Sequence, residues 1–199
     1  MANDEQNPWR ILGRTTHFDD PWLTLVAHDV ENAAGKRSTY ATVHFKKRGL
    51  AVLPVDREGH VYLVGQYRFG VRRYGWEVPA GGADADEAAL ETARRELAEE
   101  MGFAAAQWRE ILRVYISGSL TDEQAVAFVA WDLAPRRPKP DEQEVLAVRR
   151  MPFAEAVDMA CGGGIADVLS VAVILRVRLM AERGELPEAL TARLLETGS

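Results

Sequence analysis

Residues 9–47 read as β-rich, and where apolar and polar positions alternate there the period is that of a strand with one face toward a core. The stretches "WLTLVAHDV" and "STYATVHF" there are rich in β-branched and aromatic residues, and "ENAAGKR" supplies the turn between them. "GLAVLPVD" and "HVYLVGQYRF" predict a hairpin around "REG", and "GWEVPAG" predicts a short strand leading into the loop "GADAD". The period then changes. Leu90, Ala93, Leu97 and Met101 recur at helical spacing, so a helix is expected from about Glu87 to Met101. Asp84 and Glu87 have capping-box spacing, and Gly102 supplies a left-handed stop. "WREILRVYIS", "AVAFVAWDL" and "VLAVRRMP" predict further strands, with the proline-rich charged loop "APRRPKPDEQE" between the last two. "FAEAVDMA" predicts a helix, "CGGG" a break, residues 165–181 an apolar core helix, and "PEALTARLL" a last amphipathic helix. Strands before and between a few helices predict an α+β fold with a mixed sheet between helices. The turn at Lys47–Gly49 marks off residues 1–47 as a small β-rich subdomain ahead of a main domain over 48–199.

Composition narrows the function classes. The chain has 199 residues, 47% hydrophobic and 27% charged, as in soluble globular proteins. A formal net charge of -6 argues against broad electrostatic binding of nucleic acid. Cys161 stands alone, which rules out an intramolecular disulfide and suits a reducing compartment. "MANDEQNPWR" lacks a basic-then-apolar signal pattern, so a cytoplasmic protein is expected. The apolar run "VLSVAVILRVRLM" is interrupted by Arg176 and Arg178 and is too short to span a bilayer. His17, His28, His44 and His60 form no close ligand pair, which argues against a histidine-bound metal.

The charges that stand out are acids at the wrong end of a helix. Glu96, Glu99 and Glu100 crowd the last turns, where the helix dipole already places negative charge. Glu96 and Glu100 are like charges one turn apart, a pairing that costs roughly 0.2–0.5 kcal/mol. They lie along one edge of the apolar stripe, at the margin of the core, and Glu99 points further round. On this helix alone two readings stand. One is an ordinary solvated charged face. The other is a site for a hard divalent cation such as Mg²⁺, which takes carboxylate and phosphate oxygens.

The wider pattern bears on that choice. From Gly81 the sequence runs five residues to Glu87, seven more, then Arg95-Glu96-Leu97-Ala98-Glu99-Glu100-Met101-Gly102-Phe103. These nine fixed positions over 23 residues match the Nudix box, and the chain resembles the Nudix hydrolases. The resemblance implies a Nudix fold and a metal-dependent hydrolase of nucleoside diphosphates linked to another moiety, with Mg²⁺ or Mn²⁺. It implies Glu96 and Glu100 as metal ligands and Glu99 as their assistant. It leaves Gly81, Glu87, Arg95 and Gly102 to hold the loop to the helix. The physical logic agrees, since cleaving a pyrophosphate requires an aligned water and neutralised phosphoryl charge.

Beyond the box, the chain is similar to the ADP-ribose and nucleoside diphosphate sugar pyrophosphatase branch. "GQYRFGVRRYGWEVPAG" matches that branch's segment before the box, which implies the Ala80 carbonyl as a metal ligand, Arg68 as a phosphate contact and Glu77 as a site acid. "KRGLAVLPVD" adds Arg48 as a second phosphate-binding arginine, a role that suits a planar guanidinium fork. "KPDEQEVLAV" matches a loop whose acid closes over the site, which implies Glu142 or Glu144 to orient or deprotonate the attacking water or to hold an extra metal. The N-terminal β segment matches one that exchanges contacts across a homodimer, with Trp22 and Tyr40 where relatives place aromatics around the base. In "SGSLTDE", Ser117 and Glu123 match the pattern of ADP-ribose-specific members, but Gly118 stands where they carry proline. The substrate expected is therefore ADP-ribose or a related nucleoside diphosphate sugar, split into a nucleoside monophosphate and a sugar phosphate. The other readings are a non-catalytic nucleotide-sensing module and an enzyme for another nucleotide, such as a nucleoside triphosphate. Neither nucleic acid nor membrane is expected as a partner.

Overall fold

The computed structural model describes residues 7–84, 86–136 and 147–195. The chain divides into two compact units, one of Met1–Lys47 with Tyr115–Glu123 and one of Arg48–Val114 with Gln124–Ser199. Each is described by itself.

The first unit is a three-stranded antiparallel sheet of β1 (Arg10–Asp19), β2 (Leu23–Glu31) and β3 (Arg37–Phe45), in that order. The sequence predicts strands at β2 and β3 and only β-rich chain at β1. β1 pairs with β2 from Arg10↔Glu31 to Asp19↔Thr24, with two register shifts that explain its imperfect alternation. The segment Tyr115–Glu123 joins β3 through Val43, whose N–H donates to the Leu120 carbonyl at 2.9 Å. On the same sheet the His28 and His44 rings both reach the Thr42 hydroxyl, at 2.8 and 2.9 Å. His44 Nδ1 also lies 2.7 Å from Asp122. Burial works against the Asp122 charge, but His44 and the Phe45 amide hold its carboxyl below the usual range.

The second unit is a seven-stranded mixed sheet. Its path runs β10 (Ala147–Pro152), β5 (His60–Arg68), β4 (Arg48–Val55), β9 (Gln124–Pro135), β8 (Phe103–Tyr115). β6 (Arg73–Glu77) pairs with β5, and β7 (Ala80–Ala83) with β4. β4 and β9 are parallel, while β5 is antiparallel to β4 and β10. The central strand β4 shows why its sequence reads as a continuous apolar run. Leu50 and Val52 face one core with Ala93, Leu97 and Met101 of α1 (Ala89–Met101). Ala51, Leu53 and Val55 face the opposite core with residues of α2 (Phe153–Cys161), α3 (Val168–Glu182) and α4 (Glu188–Leu195). A strand covered on both faces has no solvent side to make polar. Burying a side chain such as Leu97 stabilises the unit by roughly 1.5–3 kcal/mol. The result is the expected α+β arrangement, with helices on both faces of a mixed sheet. No helix among the described residues is long and apolar enough to cross a membrane.

Three local expectations change. "GWEVPAG" is two strands, because the Val78–Pro79 step lies between β6 and β7 and proline has no N–H for a ladder. α1 starts at Ala89, and its N-cap Ala88 makes no side-chain cap bond. The capping box is absent because the Glu87 carboxylate turns to Arg95, 3.6 Å away. Gly102 does end α1 in the left-handed conformation, with its N–H on the Ala98 and Leu97 carbonyls. α3 begins at Val168, capped by Asp167, whose carboxylate accepts from the Ser170 N–H.

Candidate active site

The acidic edge of α1 lies against β7, and glycine makes the fit possible. A Cβ on Gly81 would fall 2.3 Å from Glu96 Cδ and 2.4 Å from its Oε1. The Glu96 carboxylate therefore rests on backbone, at the residue after Ala80. Leu97 and Met101 are buried, and Glu96, Glu99 and Glu100 are half-buried at the margin, as the helical stripe requires.

Arg95 organises these acids. Its guanidinium lies 2.9 Å from Glu96, 3.0 Å from Glu99 and 3.6 Å from Glu87. Burial alone would lower its pKa, but Glu96, Glu99 and Glu87 hold it above the ordinary arginine value. Arg95 thus ties the helix to the preceding loop through Glu87 and offsets the crowding of charge at the helix end.

A second charged group stands on the β5–β6 hairpin. Arg68 makes a forked pair with Glu77, through Nε at 3.0 and 3.1 Å and Nη2 at 2.6 Å. Glu77 is 7% exposed, and that fork gives its buried carboxyl hydrogen-bond partners. The Glu77 hydrogen bonds raise the Arg68 pKa, and the charges of Asp167 and Glu100 add to the effect. Glu100 on α1, Asp167 at the start of α3 and the Arg68–Glu77 pair therefore share one electrostatic environment.

Asp167 and Ser170, which the sequence does not single out, stand behind this group: Asp167 adds to the electrostatic environment of Arg68 and Ser170 contacts the residue after Glu77. The spacing Asp-x-x-Ser ahead of an apolar helix was the available cue, since an N-cap aspartate bonds the N–H three residues on. The Ser170 side chain is fully buried, donates to Asp167 at 2.6 Å and accepts from the Val78 N–H at 3.0 Å.

The other candidates are dispersed. Arg48 opens β4, paired in register with Ala83. Ser117, Glu123, Trp22 and Tyr40 belong to the first unit. There the Ser117 carbonyl accepts from the N–H groups of Leu120 and Thr121, and the Glu123 carbonyl from that of Ile116. Trp22 is 60% exposed, with Lys47 Nζ 4.9 Å from its ring. The Tyr40 hydroxyl donates to the Ser119 carbonyl, and its ring packs 6.2 Å from Trp9. Glu142 and Glu144 lie outside the described residues.

The donor set of the second unit fits a hard divalent cation. Among the described residues no group of three or more His, Cys, Asp or Glu side chains is placed to hold a metal ion by itself. A partial shell is what Mg²⁺ uses, since it keeps waters and completes its coordination on substrate phosphates. Without a side chain at position 81, the Glu96 carboxylate can lie against the backbone next to Ala80, and both are oxygen donors.

Comparison with known proteins identifies the relatives of the chain. A domain family described as NUDIX domain matches residues 45–166. An ADP-ribose pyrophosphatase from Bacillus subtilis (strain 168) is 32% identical over 173 residues, covering 85% of this chain and 92% of that protein. An ADP compounds hydrolase from Escherichia coli (strain K12) is 27% identical over 178 residues, covering 89% and 95%. A crystal structure of an ADP compounds hydrolase superposes with a TM-score of 0.81 at 25% identity, covering 90% of this chain and 98% of that one.

Proposed function

The chain belongs to the Nudix hydrolase family, and we propose on that premise that it splits the pyrophosphate bond of ADP-ribose or a related nucleoside diphosphate sugar. The products are a nucleoside monophosphate and a sugar phosphate. Relatives that cover nearly all of the chain carry the names ADP-ribose pyrophosphatase and ADP compounds hydrolase, which supports this substrate class. The observation that carries the reading is the Glu96 carboxylate seated on the Gly81 backbone, with Glu100 one turn further along the same edge.

Hydrolases of this family use divalent metals, and for this chain the ion is Mg²⁺ or Mn²⁺. Glu96, Glu100 and the Ala80 carbonyl would hold it, and it would supply charge neutralisation at the phosphoryl oxygens. The chain's own residues do the rest. Arg95 keeps Glu96 and Glu99 in place, Glu99 assists the metal ligands, and Glu142 or Glu144 is the acid assigned to the attacking water or to an extra metal. Arg68, with its fork anchored by Glu77, and Arg48 present positive charge to the substrate phosphates. In the first unit Ser117, Glu123, Trp22 and Tyr40 are assigned to the nucleotide, with the two aromatics offering faces for the base. Gly118, in place of the proline of ADP-ribose-specific members, leaves the choice of sugar open to a related diphosphate. The protein works as a homodimer in the cytoplasm. The exposed apolar side chains of the three-stranded sheet, among them Ile11, Leu12 and Phe18, support the dimer.

The test is product analysis by mass spectrometry over a panel of nucleoside diphosphate sugars with Mg²⁺ or Mn²⁺. AMP and ribose phosphate from ADP-ribose, or the corresponding pair from a related sugar, is the expected result. Absence of any monophosphate across the panel overturns the reading.

A further inference from the structure

The Val78–Pro79 step links two groups assigned to the site, the Glu77 carboxylate and the Ala80 carbonyl. Neither of its residues belongs to β6 or β7. Pro79 has no N–H, and its carbonyl accepts from the Val52 N–H at 2.9 Å. The only backbone donor of the step is the Val78 N–H, which goes to Ser170 Oγ at 3.0 Å, a contact 92 residues away in sequence. The direction of the chain of bonds is fixed. A carboxylate only accepts, so the Ser170 hydroxyl proton is committed to Asp167 at 2.6 Å, and the oxygen lone pairs are left facing Val78. Asp167 also takes the Ser170 N–H at 2.7 Å, so the serine is gripped at two points. Both Val78 and Ser170 are buried, so water cannot replace the bond.

We propose that Asp167 and Ser170 are a positioning pair that clamps the Val78–Pro79 step from α3 and thereby sets the Glu77 carboxylate and the Ala80 carbonyl for the metal and phosphate site. Neither residue touches substrate. The pair converts the start of α3, on one face of the sheet, into a fixed reference for ligands that act with α1 on the other face. The inference rests on the function proposed above.

The experiment compares wild type with Ser170→Ala, Asp167→Ala and Asp167→Asn. Amide exchange at Val78, Mn²⁺ affinity by calorimetry without nucleotide, and kcat and KM for ADP-ribose are measured on each. Ser170→Ala and Asp167→Ala are expected to speed Val78 exchange and to weaken Mn²⁺ binding by about tenfold, as loss of a supporting partner does. They are also expected to lower kcat by about tenfold with KM within about twofold, the mark of misplaced groups rather than lost substrate contacts. Asp167→Asn keeps an oxygen for the serine hydroxyl and should lose clearly less than Asp167→Ala. Faster Val78 exchange with unchanged Mn²⁺ affinity and kcat would overturn the proposal, because the pair would then be a fold contact only. Equal losses in Asp167→Asn and Asp167→Ala would overturn it too. Should Ser170→Ala fail to fold, the two Asp167 variants carry the comparison. If wild type cleaves no nucleoside diphosphate sugar, the functional reading fails, while the exchange and Mn²⁺ measurements still decide on the clamp.

Discussion

Leu50, Val52, Leu53 and Val55 of the seven-stranded sheet are at most 1% exposed, whereas Ile11, Leu12 and Phe18 of the three-stranded sheet are 45%, 42% and 51% exposed. Both sheets are built from β-branched, aliphatic and aromatic residues, so strand propensity does not separate them. The difference lies in cover. Helices close both faces of the larger sheet, and among the described residues of the first unit no helix covers the smaller one. A sheet buried on both sides packs closely against the helix that covers it, as Glu96 against Gly81 shows. A sheet with apolar side chains left in solvent is suited to contact with another surface. The proposed function draws its metal chemistry from the second unit and its self-association from the first.

The largest expected effect tests the first half of that division. Glu100→Gln should lower turnover by about 10³-fold or more, the several kcal/mol that a bound cation contributes to a developing negative charge. Its melting temperature should stay within a few degrees, because the glutamine keeps size and shape. Near-normal release of monophosphate would take Glu100 out of the site and leave the closed sheet without its assigned chemistry.

Packing gives the next contrast. Leu97 has no exposed surface, and Leu97→Ala is expected to destabilise the protein by about 3 kcal/mol in denaturant unfolding. Leu12→Ala, in the open sheet, should change the stability of the single chain by less than about 0.5 kcal/mol. It should instead weaken self-association, seen as a lower sedimentation coefficient at a given concentration. Similar stability losses in both variants would show that the two sheets do not differ in cover after all.

Ligand linkage sharpens the same point. Mn²⁺ at about a hundred times its dissociation constant should stabilise the protein by about 2.7 kcal/mol, and chelation should reverse it. Glu96→Gln should abolish that gain, and Leu12→Ala should leave it intact.

The smallest effects are in pH. Each unit has a carboxyl held below its usual range despite the opposing effect of burial, Asp56 by Arg150 and Asp122 by His44. A carboxyl depressed in the folded state adds stability above its unfolded pKa near 3.9 and loses it as pH falls through the folded value. Arg150→Ala and His44→Ala should therefore cost stability at neutral pH, with the difference from wild type shrinking below about pH 4. Each loss should stay under about 1 kcal/mol, since both pairs are partly screened by solvent. A deficit that grows toward low pH would reverse the sign of this linkage.

Much of the fold was legible because its signals are local. The period change at Leu90, the stop at Gly102 and the double-sided apolar run of β4 are written in adjacent residues. The acids of α1 were legible for the same reason, since helical spacing alone puts Glu96 and Glu100 on one edge of the stripe. The start of α1 was not, because Glu87 had two options, the helix N-terminus or Arg95, and charge pairing with Arg95 prevailed. Strand β1 was missed because its two register shifts blur the alternation.

By itself, then, the sequence determined the elements of the larger sheet, the family box and the acids that belong to it. Those features depend on spacing within one or two turns of chain, which periodicity and capping rules reach. Only the tertiary structure decided that Glu96 would rest on Gly81, that Arg68 would be held by Glu77, and that Asp167 and Ser170 would reach Val78. Each of these contacts joins different elements, and the Ser170–Val78 bond spans 92 residues. Their existence depends on how the sheet and helices pack, and no local pattern encodes that distance.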